Sequence, residues 1–292
     1  MRASRRIIHA EAAESQECGV NESPVVNAHR LIWRESGFSE GDRSVPEETA
    51  LALSYDAGTY AVMMGTPQDL EDFAVGFSLT EGIINSMSDI ESLEVVPQDE
   101  GIELRMWLTK RNADQLHERR RHIAGPTGCG LCGIDSIAEA MKPVAIVGDG
   151  IRVTPQEIMT AMQGLYPLQK LNTITRAVHA AAFWTPQAGI MEIREDVGRH
   201  NALDKLAGAL ARKSIAASEG AVLLTSRVSV EMVQKTASIG ATLIVSVSAP
   251  TALAIRMAER AGITLAAIAR ADGFEIFTHM HRISSGEATH VA

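Results

Sequence analysis

Residues 221–248 read AVLLTSRVSVEMVQKTASIGATLIVSVS, and this stretch decides the fold. Ala221 to Thr225 and Thr242 to Ser248 are short apolar runs of buried-strand length, and Val228 to Ile239 between them carries apolar residues at helical spacing. A strand, a helix and a second strand in immediate succession make a βα unit, which assigns the chain to the α/β class. The alternation continues on both sides. Pro250 to Ala261 reads as the next helix, with Ile263 to Ile268 and Phe274 to Thr278 as strands after it. Upstream, Ala177 to Trp184 and Gly189 to Arg194 suggest paired strands, and Asn201 to Arg212 a helix. Thr154-Pro155-Gln156-Glu157 is a capping box that opens another helix.

The first half follows a different pattern. Leu51-Ala52-Leu53-Ser54-Tyr55 and Tyr60-Ala61-Val62-Met63-Met64, separated by Asp56-Ala57-Gly58-Thr59, predict a hairpin. Thr66-Pro67-Gln68-Asp69 predicts a helix start with Thr66 as N-cap, burying Leu70, Phe73, Ala74 and Phe77 and ending near Gly82. Ser92 to Val96 and Ile102 to Leu108 are further strands about a turn at Pro97 to Gly101. These patterns divide the chain into a flexible leader at 1–28, a smaller α+β subdomain at 29–145 and an α/β subdomain at 146–292.

At 292 residues, 46% hydrophobic and 22% charged, the chain can bury a substantial core. A net charge of -9 argues against sequence-independent nucleic-acid binding. No apolar run approaches a membrane span, and the early Arg5-Arg6 pair is not followed by the apolar region of a signal peptide. Of three cysteines, Cys18 lies in the polar leader, while Cys129 and Cys132 form a CxxC. That usage is no disulfide framework and fits a reducing cytoplasm.

The CxxC sits in Thr127-Gly128-Cys129-Gly130-Leu131-Cys132-Gly133. Glycines around both sulfurs let the backbone turn tightly and let a bulky partner approach a thiol. Apolar residues at 134, 137, 138 and 141 fit a helix that starts beside the thiols, where its positive dipole end favours thiolate over thiol. Seven residues before Cys129 ends the cationic run Arg119-Arg120-Arg121-His122, either a solvated helix face or a contact for an anionic ligand, an acidic partner surface or the thiolate itself.

A second polar cluster, Glu195-Asp196-Val197-Gly198-Arg199-His200-Asn201-Ala202-Leu203-Asp204-Lys205, lies between a strand and a helix. Its Asp196, Arg199, His200 and Asn201 gather at a helix start that could hold an anionic or nucleotide-like group, or could tie strand to helix as a cap network. Asp204 and Lys205 read as structural. Thr225-Ser226-Arg227-Val228-Ser229 and Ser248-Ala249-Pro250-Thr251 each follow a strand, the edge of an α/β sheet at which ligands dock. His179, in an apolar strand, is either a core histidine or a residue facing that pocket.

Together these segments resemble the FdhD/NarQ family of formate dehydrogenase accessory sulfurtransferases. The resemblance rests on Thr66 to Phe77 with Glu81-Gly82-Ile83-Ile84, on Cys129 to Gly133, on Glu195 to Ala202, on Arg227 to Lys235 and on Ser248 to Ala254, in that order. It implies a cytoplasmic protein, usually a homodimer, that accepts sulfur from a cysteine desulfurase as a persulfide on Cys129. The sulfur would pass to the molybdenum bis-molybdopterin guanine dinucleotide cofactor, a client bound before its insertion into formate dehydrogenase, with Cys132 assisting release or shielding the persulfide. The resemblance also implies a mixed-sheet layered sandwich like the cytidine-deaminase fold, no permanently bound metal, and cofactor contacts at Ile268, Ala269, Arg270, Ala271, Asp272 and Gly273. His179, Arg199, His200, Asn201, Arg227, Ser229, Ser248 and Thr251 complete the candidate cofactor site. The chain departs from the family pattern at Arg176-Ala177, where paired glycines are usual, at Thr225-Ser226-Arg227, where Ser-Gly-Arg is usual, and at Ala267-Ile268, where Gly-Phe is common.

Three other chemistries use a CxxC. A zinc deaminase-like hydrolase also carries the pair at a helix start, but it needs His-x-Glu and a proline directly before the first cysteine, whereas the one His-x-Glu of this chain is His9-Ala10-Glu11 in the leader and Gly128 precedes Cys129. A thioredoxin-like oxidoreductase leaves the second half without a use. A cofactor-binding chaperone with structural cysteines is the third alternative.

Overall fold

The structure, a computed structural model, describes residues 23–113 and 144–284. Cys18, Cys129, Cys132, the cationic run at 119–122 and the helix read over 134–141 lie outside the described residues.

The described residues open with β1 (Val25–Arg34) and β2 (Gly37–Pro46), an antiparallel hairpin paired along its full length. Residues 25–28, read from sequence as leader, are therefore strand. The hairpin escapes a pattern search because most of its side chains are exposed on both faces, leaving no polar-apolar alternation to see. β3 (Thr49–Tyr55) and β4 (Gly58–Gly65) form the expected second hairpin, turning at Asp56 and Ala57 with φ of 49° and 65°. Two positive φ values in succession give the backbone a twist that matches the flanking strands. α1 (Leu70–Thr80) follows, then β5 (Ile90–Gln98) and β6 (Gly101–Leu108), and the four strands order β4-β3-β6-β5. Leu51, Leu53, Tyr55, Leu104 and Met106 on the sheet pack against Phe73, Ala74 and Phe77 of α1. Thr66 does not cap this helix. Asp69 occupies the N-cap position in left-handed backbone with no side-chain cap bond, and Thr66 is used elsewhere.

The remaining elements are α2 (Pro155–Leu168), α3 (Lys170–Thr175), β7 (His179–Thr185), β8 (Gly189–Asp196), α4 (Arg199–Arg212), β9 (Ala221–Leu224), α5 (Val230–Ser238), β10 (Leu243–Ser246), α6 (Ala252–Ala261), β11 (Thr264–Arg270) and β12 (Gly273–Thr278). The capping box forms as expected: the Glu157 amide donates to Thr154 Oγ1 at 3.3 Å and the Thr154 amide to Glu157 Oε2 at 2.7 Å. The six strands order β12-β11-β10-β9-β7-β8, with β9, β10 and β11 parallel to one another and the rest antiparallel. Leu203, Leu206, Met232, Val233 and Met257 from α4, α5 and α6 pack on one sheet face. Ile158, Ala161 and Leu165 of α2 pack on the other, against Leu223, Leu243 and Val245. Helices on both faces of a mixed sheet make this an α/β fold. Among the described residues no helix is long and apolar enough to cross a membrane.

The two sheets are joined through a close crossing of α1 and α4. A Cβ on Gly76 would stand 1.6 Å from the Asp204 carbonyl oxygen, and one on Gly208 would stand 1.9 Å from that of Asp72. Each glycine gives the other helix room for its backbone, so α1 acts as a shared layer between the sheets.

Candidate functional site

The cluster after β8 divides into an interior half and an outward half. Asp196 is wholly buried, and its carboxylate accepts from Lys205 Nζ at 2.6 Å, the Thr66 amide at 3.0 Å, the Gly198 amide at 2.7 Å and Asn201 Nδ2 at 3.0 Å. Lys205 also donates to the Thr66 carbonyl at 2.9 Å, the Val197 amide donates to Thr66 Oγ1 at 3.2 Å, and Asn201 Nδ2 reaches the Met64 carbonyl at 2.8 Å. These bonds pin the β4–α1 connection to the start of α4, and a dry interior tolerates the charges because every one is paired. Asn201, a candidate ligand from sequence, spends its amide nitrogen inside this network.

A second buried knot forms around Asp204, the residue before Lys205 on α4. Lys235 Nζ on α5 donates to both Asp204 oxygens at 3.0 and 3.1 Å, to Thr80 Oγ1 at 3.0 Å and to Glu81 Oε1 at 2.9 Å. Burial pushes the Asp204 carboxyl above its ordinary range, and Lys235 opposes that shift. Glu195 also works inside the fold, accepting the Leu171 and Asn172 amides at 2.8 Å each.

Arg199 and His200 remain outward at the start of α4. Among the described residues, Arg199 Nε and His200 Nε2 are shielded from solvent with no hydrogen-bond partner, and the acidic atom nearest the imidazole is Glu231 Oε2 at 4.0 Å. Burial, with help from the Arg199 and Lys235 cations, pushes the His200 pKa down to about 4, so the ring is neutral at cellular pH. Half-buried His179, at the start of β7, is pulled down by burial and by the Arg199 charge, while Asp196 opposes.

Because β9, β10 and β11 are parallel, their carboxyl ends share one edge, and β7 begins and β8 ends there. The loops that follow β9 and β10 are stitched together: the Val228 amide donates to the Ala249 carbonyl at 3.3 Å and the Thr251 amide to the Val228 carbonyl at 3.0 Å. The Ile268 amide donates to the Ser248 carbonyl at 3.2 Å, joining the end of β11 to the same edge. His179, Arg199, His200, Arg227, Ser229, Ser248, Thr251 and Ile268 to Gly273 are thus brought to one side of the sheet. Arg227, Arg270, Ala271 and Asp272 are exposed there, whereas Ala269 is buried. Thr251 caps α6 by accepting the Ala254 amide at 3.2 Å, and Ser229 holds the N-cap position of α5 without a side-chain cap bond. Ile268 stands at φ 55°, an uncommon backbone for a β-branched residue, where β11 bulges before its turn.

The starts of α4, α5 and α6 all point at this edge, and Arg199, Arg227 and Arg270 lie along it. Three helix dipoles and three guanidinium groups create a local preference for anions in a chain that is acidic overall. Among the described residues no group of three or more His, Cys, Asp or Glu side chains could hold a metal ion.

The profile of the FdhD/NarQ family matches residues 46–284. The chain belongs to that family. Among relatives, the sulfur carrier protein FdhD of Agrobacterium fabrum is 53% identical over 87% of this chain and 94% of its own length. The sulfur carrier protein FdhD of Brucella abortus is 51% identical over 88% and 96%. A solved structure described as a formate dehydrogenase accessory protein from Desulfotalea psychrophila superposes with a TM-score of 0.73 at 27% identity, covering 90% of this chain and all of that one.

Within this FdhD/NarQ chain, sequence reasoning missed two site features. Glu231 beside His200 was visible only as a polar residue in a helical run. The helix–helix role of Gly76 and Gly208 had a signal, since an isolated glycine inside a helical pattern marks a close approach.

Proposed function

We propose that this chain is a sulfur carrier that holds sulfur as a persulfide on Cys129. What carries the reading is the near full-length identity to relatives described as sulfur carriers, in a chain that keeps a glycine-packed CxxC. In the loading step the Cys129 thiolate attacks the terminal sulfur of a persulfide on a cysteine desulfurase. The new S–S bond forms on Cys129, the donor's S–S bond breaks, and the donor cysteine leaves as thiolate. The sequence around Cys129, with Gly128, Gly130 and Gly133, suits this step, which needs an ionised and accessible sulfur.

The recipient is the molybdenum bis-molybdopterin guanine dinucleotide cofactor, treated as substrate, which is sulfurated for formate dehydrogenase. Its diphosphate groups are the kind of anion that Arg199, Arg227 and the helix starts of the carboxyl edge favour, with Ser229, Ser248, Thr251, His179, His200 and the Ile268 to Gly273 segment lining the contact. Cys132 assists release by closing a disulfide or shields the persulfide. The protein works in the cytoplasm, as a homodimer, on a sandwich of the cytidine-deaminase type divided at 145/146, and it keeps no resident metal. Activation of formate dehydrogenase tests the role: Cys129→Ala in cells lacking the native gene should leave the dehydrogenase inactive while the variant accumulates normally. Full activation by that variant overturns sulfur carriage in favour of a chaperone.

A further inference from the structure

The hairpin β1–β2 is built like an arm. Each strand has ten residues, about 33 Å at strand rise. Among the described residues none of its side chains enters an apolar core, and a side-chain tie to the body lies at its base, where Arg43 donates to the Thr175 carbonyl at 3.2 Å. A lone two-stranded hairpin is at best marginal in water. This one also exposes the wrong residues: Leu31, Trp33 and Phe38 are 63%, 66% and 69% accessible.

Strand alternation and register place these three together. Leu31 and Trp33 are two residues apart on β1, and Phe38 lies directly opposite Trp33. Glu40 and Asp42 border the same face, opposite Leu31 and His29. Arg30, Ile32 and Arg34 project from the other face together with Arg43. An apolar face with one aromatic pair, edged by charge, has the composition of an interface centre with its polar rim.

Area selects the occupant. Two strands about 5 Å apart and about 33 Å long offer a face of about 300 Å². One such face on an unrelated partner buries about 600 Å² counting both sides, which is lattice-contact size. Two copies exchanging arms bury it twice, about 1,200 Å² in total, at the threshold of a specific interface. We propose that the β1–β2 arm is a dimerisation element whose Leu31, Trp33 and Phe38 face is covered by a second copy of this chain. This deepens the homodimer reading above and rests on it.

Sedimentation of the full chain tests the arm. The native chain should be dimeric at micromolar concentration, and Trp33→Glu with Phe38→Glu should weaken dimerisation at least about 100-fold, because a buried aromatic anchor carries a large share of binding energy. Hydrogen exchange of the native chain gives a readout that needs no variant: amides of residues 29–40 should lose protection when dilution dissociates the dimer. A variant that dimerises as tightly as the native chain, or arm amides indifferent to dissociation, overturns the arm and leaves the homodimer standing. A native chain monomeric at about 100 μM overturns both.

Discussion

Lys205 Nζ lies 2.6 Å from Asp196 Oδ2, and neither side chain is reached by solvent. The pair closes a circuit through Thr66, so the first sheet, the shared helix layer and the candidate site are held by one polar junction. Breaking a buried pair by removing one partner leaves an uncompensated charge, which costs about 3–5 kcal/mol. Lys205→Met should therefore lower the free energy of unfolding in urea by that amount, far more than loss of any exposed ion pair. A cost under about 1 kcal/mol would show that the junction is not structural.

The α1–α4 crossing predicts intolerance of a single methyl group. Gly208→Ala places a carbon where the Asp72 carbonyl oxygen stands, and the obstacle is backbone that cannot rotate away. The helices must separate, at about 3 kcal/mol or more. Thermal melting should show a large drop, whereas Gly148→Ala, with open space around it, should melt like the native chain.

His200 gives stability a pH dependence of definite sign. Its folded pKa is pushed down to about 4, while the unfolded imidazole titrates near 6.5, so between these values the unfolded chain binds a proton that the folded chain refuses. Stability contributed by this site is complete above about pH 6.5 and is lost as the pH falls toward 4, by up to about 3 kcal/mol. Urea unfolding at a series of pH values should show a steeper acid decline for the native chain than for His200→Gln. Parallel curves would mean that the imidazole is not held neutral.

The carboxyl edge predicts electrostatic capture of an anion. Arg227 is exposed beside the helix starts and, among the described residues, belongs to neither buried ion-pair network. Arg227→Ala should weaken binding of guanosine diphosphate about 10-fold with little change in melting temperature, and added salt should shrink the difference. Calorimetric titration at two ionic strengths would measure both effects.

The α/β half was legible because its strands are buried and its helices are amphipathic, so the period of apolar residues reports the element directly, as in Val222 to Leu224 and Leu243 to Val245. Thr154 and Glu157 were legible as a cap for the same reason, a local rule with a local cause. Thr66 misled because its sequence context is a helix start, while its partners Asp196, Val197 and Lys205 are about 130 residues away. No local pattern contains that information. The arm escaped notice because β1 and β2 bury too little to impose alternation. The polar cluster from Glu195 to Lys205 was seen as one unit, yet the helix turn sends Asn201, Asp204 and Lys205 inward and leaves Arg199 and His200 at the edge. Sequence could name the cluster but could not divide it.

The central claim is that Cys129 carries sulfur. The chain should be incubated with a cysteine desulfurase and cysteine, digested without reductant and weighed peptide by peptide. The Cys129 peptide should gain about 32 daltons, one sulfur atom, in a form that dithiothreitol removes and that Cys129→Ala never acquires. An unmodified Cys129 peptide beside a demonstrably active desulfurase would contradict the account.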